Sequence, residues 1–382
     1  MNKCVVAVLF FLLFAVNAFA ATEYTVEPFL SLSEEYNDNL FLKRSDRISD
    51  FISNVSPGIA LSAKSINTDL RLSYFPTFSF YSSHHELNDT AHHATANGAF
   101  KLSERLNTTL TFSYVRSSET SDITVIPDIG PVTIRAEWEY LTVGGGASYR
   151  LTDKLFYVVN LSYYNADTNA ANLNKVKTYS GNTGLTYRSS EKTTFSATAT
   201  YIKYDYNPGS DATGQNYLLE VTRILSPSVT VGASAGAIIT KIQDRGNSDV
   251  DFKGGVNLRK TFERGEVSLS YNYGVIPSVE SETPLRYQVV NLSFSKPFTE
   301  KFATSASASY SNYKSIRPAT DADNRDTNEI RVNTALAYSF SPAVNLALSY
   351  SYTNSNDKID TNRDFQNNIV LLTLRVVYSK KL

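Results

Sequence analysis

The sequence predicts an all-β fold, a transmembrane antiparallel up-and-down β-barrel of about 18 strands, with about 16 as the smaller possibility and no plug domain. Three observations predict it. Long segments alternate apolar and small polar residues; short turns punctuate them roughly every 40 residues; aromatic residues collect at the segment ends.

Residues 1–20 stand apart. Met1-Asn2-Lys3 is a short positive start, residues 4–16 carry no charge, and Ala18-Phe19-Ala20 fits a signal-peptidase site. The expected division is a signal peptide over 1–20 and an outer-membrane barrel over 21–382. Cys4 is the only cysteine, so disulfides add nothing to the barrel. It precedes the apolar run, whereas a lipoprotein cysteine would follow it.

The alternation is clearest at residues 343–353. Val344, Leu346, Leu348, Tyr350 and Tyr352 share one parity, and Asn345, Ala347, Ser349, Ser351 and Thr353 share the other. In an extended chain these point to opposite faces. Residues 106–114, 267–275, 330–340 and 369–378 repeat the pattern without helical periodicity. Turns are read at "SAKSIN" (62–67), "SER" (103–105), "TDK" (152–154), "SSEK" (189–192), "SPS" (226–228), "FERGE" (262–266), "PFTEK" (297–301) and "SPA" (341–343). Longer Asn/Asp/Gly-rich connections such as "NPGSDATG" and "NSNDKIDTNRD" alternate with them.

A soluble β-sandwich would also alternate. Its strands average about 5–6 residues, and these segments are about twice that. The chain has 25 Tyr and 21 Phe, which favours strands. Tyr114, Tyr163, Tyr201, Tyr271, Tyr310 and Tyr350 sit at one end of the segments, and Tyr149, Tyr187, Phe294, Tyr338 and Phe340 at the other. Two such girdles match the two interfaces of a bilayer. Mean hydropathy is only −0.24, so by a hydropathy window the chain would pass for a soluble protein. The net charge of −1 offers no basic surface for nucleic acid.

The small polar parity is then the lumen. Glu220, Lys253, Arg259, Arg331 and Arg375 carry it and are candidate pore-lining charges. The longest connection, between the turns at 104 and 153, holds Ile126, Pro127, Ile129 and Pro131. An apolar loop tip needs cover, so these are candidate constriction residues. Short turns and both termini are expected on the periplasmic side and longer loops outside.

"LSEEYNDNLFL" (32–42), "DFISNVSPGIAL" (50–61) and "TDLRLSYFPTFSFY" (68–81) follow one another near the start. This succession resembles a β-barrel porin family associated with exosortase and exopolysaccharide gene clusters, and the chain is similar in architecture to eighteen-stranded polysaccharide-secretion barrels. The resemblance implies an outer-membrane conduit in exopolysaccharide or capsule secretion, with a polysaccharide substrate and a periplasmic export protein as partner. Outer-membrane lipid and lipopolysaccharide would surround it. Composition and spacing alone leave two alternatives, a general diffusion porin for small solutes and a structural or adhesive surface barrel.

His84, His85, His92 and His93 are all the histidines and fall in "HHELNDTAHH". They are weak candidates for a metal site, against a plain solvated loop, because no fixed spacing such as H-E-x-x-H is present. "DADNRDTNE" (321–329) has carboxylates that would suit calcium, but Arg325 occupies a ligand position and the loop glycine is missing. No cofactor is expected. No nucleophile and base are spaced for catalysis, so the reading is a non-enzyme.

Overall fold

The computed structural model describes residues 23–118, 135–170, 173–243, 246, 248–318 and 324–381. Eighteen long strands follow in chain order. They are β1 (Glu23–Asn37), β2 (Asp50–Lys64), β3 (Thr68–Tyr81), β4 (Asp89–Lys101), β5 (Leu106–Ser117), β6 (Trp138–Arg150), β7 (Leu155–Thr168), β8 (Lys175–Ser190) and β9 (Thr193–Asn207). The rest are β10 (Ala212–Ser226), β11 (Val229–Ile242), β12 (Asp249–Phe262), β13 (Gly265–Ile276), β14 (Leu285–Pro297), β15 (Phe302–Ser315), β16 (Asp326–Ser341), β17 (Val344–Asp357) and β18 (Phe365–Val377).

Each strand pairs antiparallel with its sequence neighbours, and β1 closes on β18. The closing register puts Phe29 opposite Val377 and Asn37 opposite Ile369. This is a closed antiparallel barrel of 18 strands, and the described residues form no separate plug domain. Closure is forced by the medium. In hydrocarbon an unpaired backbone N–H or C=O costs several kcal/mol, so a spanning sheet tolerates no edge. All eight predicted short turns fall between strands. Both ends of the described chain lie on that rim, where Lys381 pairs with Glu23 at 2.6 Å.

Alternation sorts the two faces. Leu348 and Tyr350 on β17 stay exposed outward, as do Leu336 on β16 and Leu372 on β18 beside them. The same outward parity presents Tyr149, Tyr187, Tyr201, Tyr310 and Tyr338. The wall thus has no core between layers; its apolar face is left for lipid.

Pairing between β2 and β3 lapses from residue 56 to 58 and from 75 to 77, then resumes in the same register. That register would set Pro57 against Pro76, and proline has no N–H to give a ladder. The Ser56 and Thr77 hydroxyls bond at 2.8 Å and span the gap.

The two faces should respond oppositely to charge. Leu348→Arg should destabilise the barrel by about 2–4 kcal/mol, whereas Ser349→Arg, turned to the lumen, should leave stability nearly unchanged. Urea unfolding in vesicles followed by tryptophan fluorescence measures both.

Candidate functional site

The lumen wall is built of hydroxyls because the small polar parity faces inward. Ser73 and Thr95 bond across β3 and β4 at 2.8 Å, and Ser268 and Ser293 across β13 and β14 at 2.6 Å. A cavity of about 690 Å³ occupies the lumen between β4 and β14. Tyr140, Tyr204, Ile202 and Tyr287 give it an apolar and aromatic wall, with Lys253 and Asn216 among its polar lining. The Tyr140 hydroxyl, Thr178 Oγ1 and Asn216 Oδ1 reach it buried and without a hydrogen-bond partner. Such atoms favour a solute that brings complementary polar groups.

Above the cavity, at the long-loop end, the mouth is narrowed. The connection from β13 to β14, residues 277–284, turns inward instead of outward. Ser278, Val279, Ser281 and Thr283 have no exposed surface. Val279 belongs to one buried cluster with Trp138 at the start of β6, Tyr206 on β9, Ile242 on β11 and Ile316 after β15. These strands lie up to half the circumference apart, so a cluster that joins them must cross the lumen.

Three devices hold the segment there. The Asn174 N–H donates to the Val279 carbonyl at 2.8 Å. Gly209, with φ +132°, lets the chain pass close to Glu282; a Cβ there would stand 3.0 Å from the Tyr206 Cβ and 3.3 Å from the Glu282 Cβ. Arg325, just before β16, pairs with Glu280 at 2.9 Å and donates a second bond to the Glu280 carbonyl at 2.9 Å. Both side chains are buried, at 5% and 1% exposure. Burial draws the Arg325 guanidinium below its usual pKa, while Glu280 opposes the shift.

A second segment, between β1 and β2, also folds inward. Leu40 is buried with Ile52 and Tyr81. Asn39 donates to the carbonyls of Lys43 (2.7 Å) and Gln366 (2.8 Å), and Asp38 accepts from the Asn368 side chain at 2.6 Å. These bonds tie the loop across the β1–β18 closure.

The charged residues singled out from sequence occupy distinct places. Lys253 lines the cavity. Arg331 pairs with Glu329 at 2.7 Å, and Arg259 with Glu266 at 3.3 Å. Arg375 lies over the Phe29 ring at 4.2 Å. Glu220 stands opposite Ser196 and Ser234 in the register. Ile126, Pro127, Ile129 and Pro131 lie outside the described residues. The inward segment over the cavity that the structure does describe is 277–284, which the sequence analysis did not single out.

The histidine loop is corrected. His92 and His93 belong to β4, which begins at Asp89. Strand alternation sends them to opposite faces: His92 meets Tyr74 at 3.0 Å, while His93 stacks on Phe75 and lines the cavity. His84 pairs instead with Asp50 at 3.0 Å. Among the described residues no group of three or more His, Cys, Asp or Glu side chains is placed to hold a metal ion. Asp321 and Asp323 of the calcium candidate lie outside the described residues. Asp326 and Glu329, both in β16 and three residues apart, have opposite parity.

No family model and no curated protein matches this sequence. Solved structures do. The chain is similar to Pseudomonas aeruginosa OccK2 (OpdF) in complex with glucuronate, at TM-score 0.50 and 10% identity, over 94% of this chain and 98% of that one. It is also similar to the P. aeruginosa outer membrane protein OpdK, at TM-score 0.47 and 11% identity, over 92% and 99%. At such identity the likeness is one of fold, a porin-like barrel.

The Glu280–Arg325 pair is the testable fastening. Removing one partner of a buried pair costs about 3–5 kcal/mol. Glu280→Gln should therefore release the 277–284 segment and raise single-channel conductance in planar bilayers, with the barrel still resisting SDS unfolding at room temperature.

Proposed function

We propose that this protein is a passive outer-membrane channel for small solutes. The observation that carries the reading is the combination of a closed, water-compatible barrel with a mouth narrowed by its own buried segment, residues 277–284. Selection would then come from pore width and from hydroxyls and charges on the wall. The porin-like fold supports the same reading, and OccK2, a structural neighbour, has been solved with glucuronate, a small acidic sugar.

Polysaccharide export, with a periplasmic export protein at the short turns, is the second reading. The resemblance of residues 32–81 favours it. The narrowed mouth weighs against it, because a polymer chain needs a wide continuous bore and Val279 is packed in a cluster that crosses the lumen.

Liposome swelling in graded sugars separates the two. Proteoliposomes should admit mono- and disaccharides and exclude longer oligosaccharides. Replacing residues 278–282 by a short glycine linker should raise that size limit. Unrestricted passage of long oligosaccharides through the unaltered protein would favour export.

A further inference from the structure

We propose that the wall between β12 and β13 is a lateral portal through which small anionic amphiphiles pass between the cavity and the membrane. The proposal deepens the small-solute reading and rests on it.

The first observation is a break in the ladder. The β12–β13 register runs from Phe262–Gly265 to Gly254–Tyr273 and stops. Continued, it would pair Lys253 with Gly274, Phe252 with Val275 and Asp251 with Ile276. Yet β12 stays paired to β11 as far as Asp249, and β13 stays paired to β14 as far as Ile276. Both strands are ordered and bonded on their far sides, and part only from each other. No proline lies among the unpaired residues 251–253 and 274–276, unlike the lapse between β2 and β3.

The second observation shows where the hairpin goes. Val275 and Ile276 are consecutive strand residues and must face opposite ways, yet both line the interior cavity, as does Pro277. The tip of the β13–β14 hairpin therefore leans into the lumen, while β14 keeps its ladder with β15 as far as Leu285 and Ser315. Val275 shares the outward parity of Leu269, but it is buried in the interior cluster.

The third is what fills the seam. Arg286, on β14, has the outward parity of Val290 and Leu292. It reaches back to Asp251 at 2.7 Å and Asp249 at 3.8 Å on β12. Arg317 meets Asp249 at 2.7 Å. Side-chain ion pairs thus stand where backbone hydrogen bonds would otherwise seal the wall. A backbone ladder opens only by unfolding, whereas an ionic latch opens by side-chain rotation.

The chemistry of the route names the passenger. On the outside, Phe252 and Tyr273 flank the seam, with ring centroids 6.2 Å apart. Inside stand Val275, Ile276, Pro277 and Tyr287, with Lys253 beside them. An apolar body can slide along these surfaces, while the Lys253 ammonium on the cavity wall draws an acidic head. The axial exit above is narrowed by the segment that carries Val279, and the seam lies directly beside the cavity.

The sole tryptophan supplies the readout. Trp138 is buried and stacks on Tyr140, which lines the cavity. The variant is Phe252→Cys/Val275→Cys in a Cys4→Ser background, reconstituted in phosphatidylcholine vesicles. One half is bridged with a short bismaleimide and the other capped with N-ethylmaleimide. A brominated medium-chain fatty acid should quench Trp138 in the capped protein, and bridging should slow quenching at least tenfold. Swelling in glucose should be equal in both. Equal quenching rates with and without the bridge would overturn the portal while leaving the channel intact. Loss of glucose swelling in the capped protein and in the unaltered protein would instead strike the small-solute reading. Arg286→Gln, which needs no chemical treatment, should speed quenching several-fold; an unchanged rate would also count against the portal.

Discussion

One constraint organises this molecule: in hydrocarbon each backbone polar group must find its partner within the protein. It explains why the sheet closes through β1 and β18, and why the strands are long and uninterrupted. It also explains why the chain can be rich in Ser, Thr and Asn and still cross a membrane. Once the ladder is closed, the side chains have only to suit the medium on each face, lipid outside and water inside. The fold is therefore specified by alternation more than by packing, since the outward side chains have no protein layer to pack against.

Departures from full pairing are correspondingly informative. The lapse at Pro57 and Pro76 has a local chemical cause, and the Ser56–Thr77 hydroxyl bond bridges it. The parting of β12 and β13 has no proline among its unpaired residues, 251–253 and 274–276. Carboxylates and guanidinium groups occupy it, which in a lipid-facing wall are costly unless paired with each other. Arg286 with Asp251 meets that condition, and so a seam without a ladder can persist.

The barrel was legible because its signals are local. Parity at Leu348 and Ser349, the turn residues near 227 and 263, and tyrosines such as Tyr310 each report on a few neighbours, and those neighbours are set by strand geometry. The interior was not legible for the opposite reason. "PSVESETP" reads as a hydrated loop by composition, and Val279 is its only large apolar residue. Its burial depends on Trp138, Tyr206 and Ile316, which approach it only when the sheet has closed. The histidine doublet at 92–93 misled in another way. Polar neighbours made it look like loop, although β4 begins at Asp89 and a lumen-facing strand can afford polar residues on one parity.

The same logic separates what the wall does from what the mouth does. A wall residue such as Ser349 meets water whatever the loops adopt, so it sets only the general polarity of the bore. Glu280 and Arg325 are different: buried together, they gain from each other what water would otherwise supply, and that gain holds a short segment across the opening. Selectivity in such a barrel resides less in its eighteen strands than in the few residues that fold back inside them. On the small-solute reading proposed above, a change at the Glu280 contact would alter which solutes fit without disturbing the closed ladder.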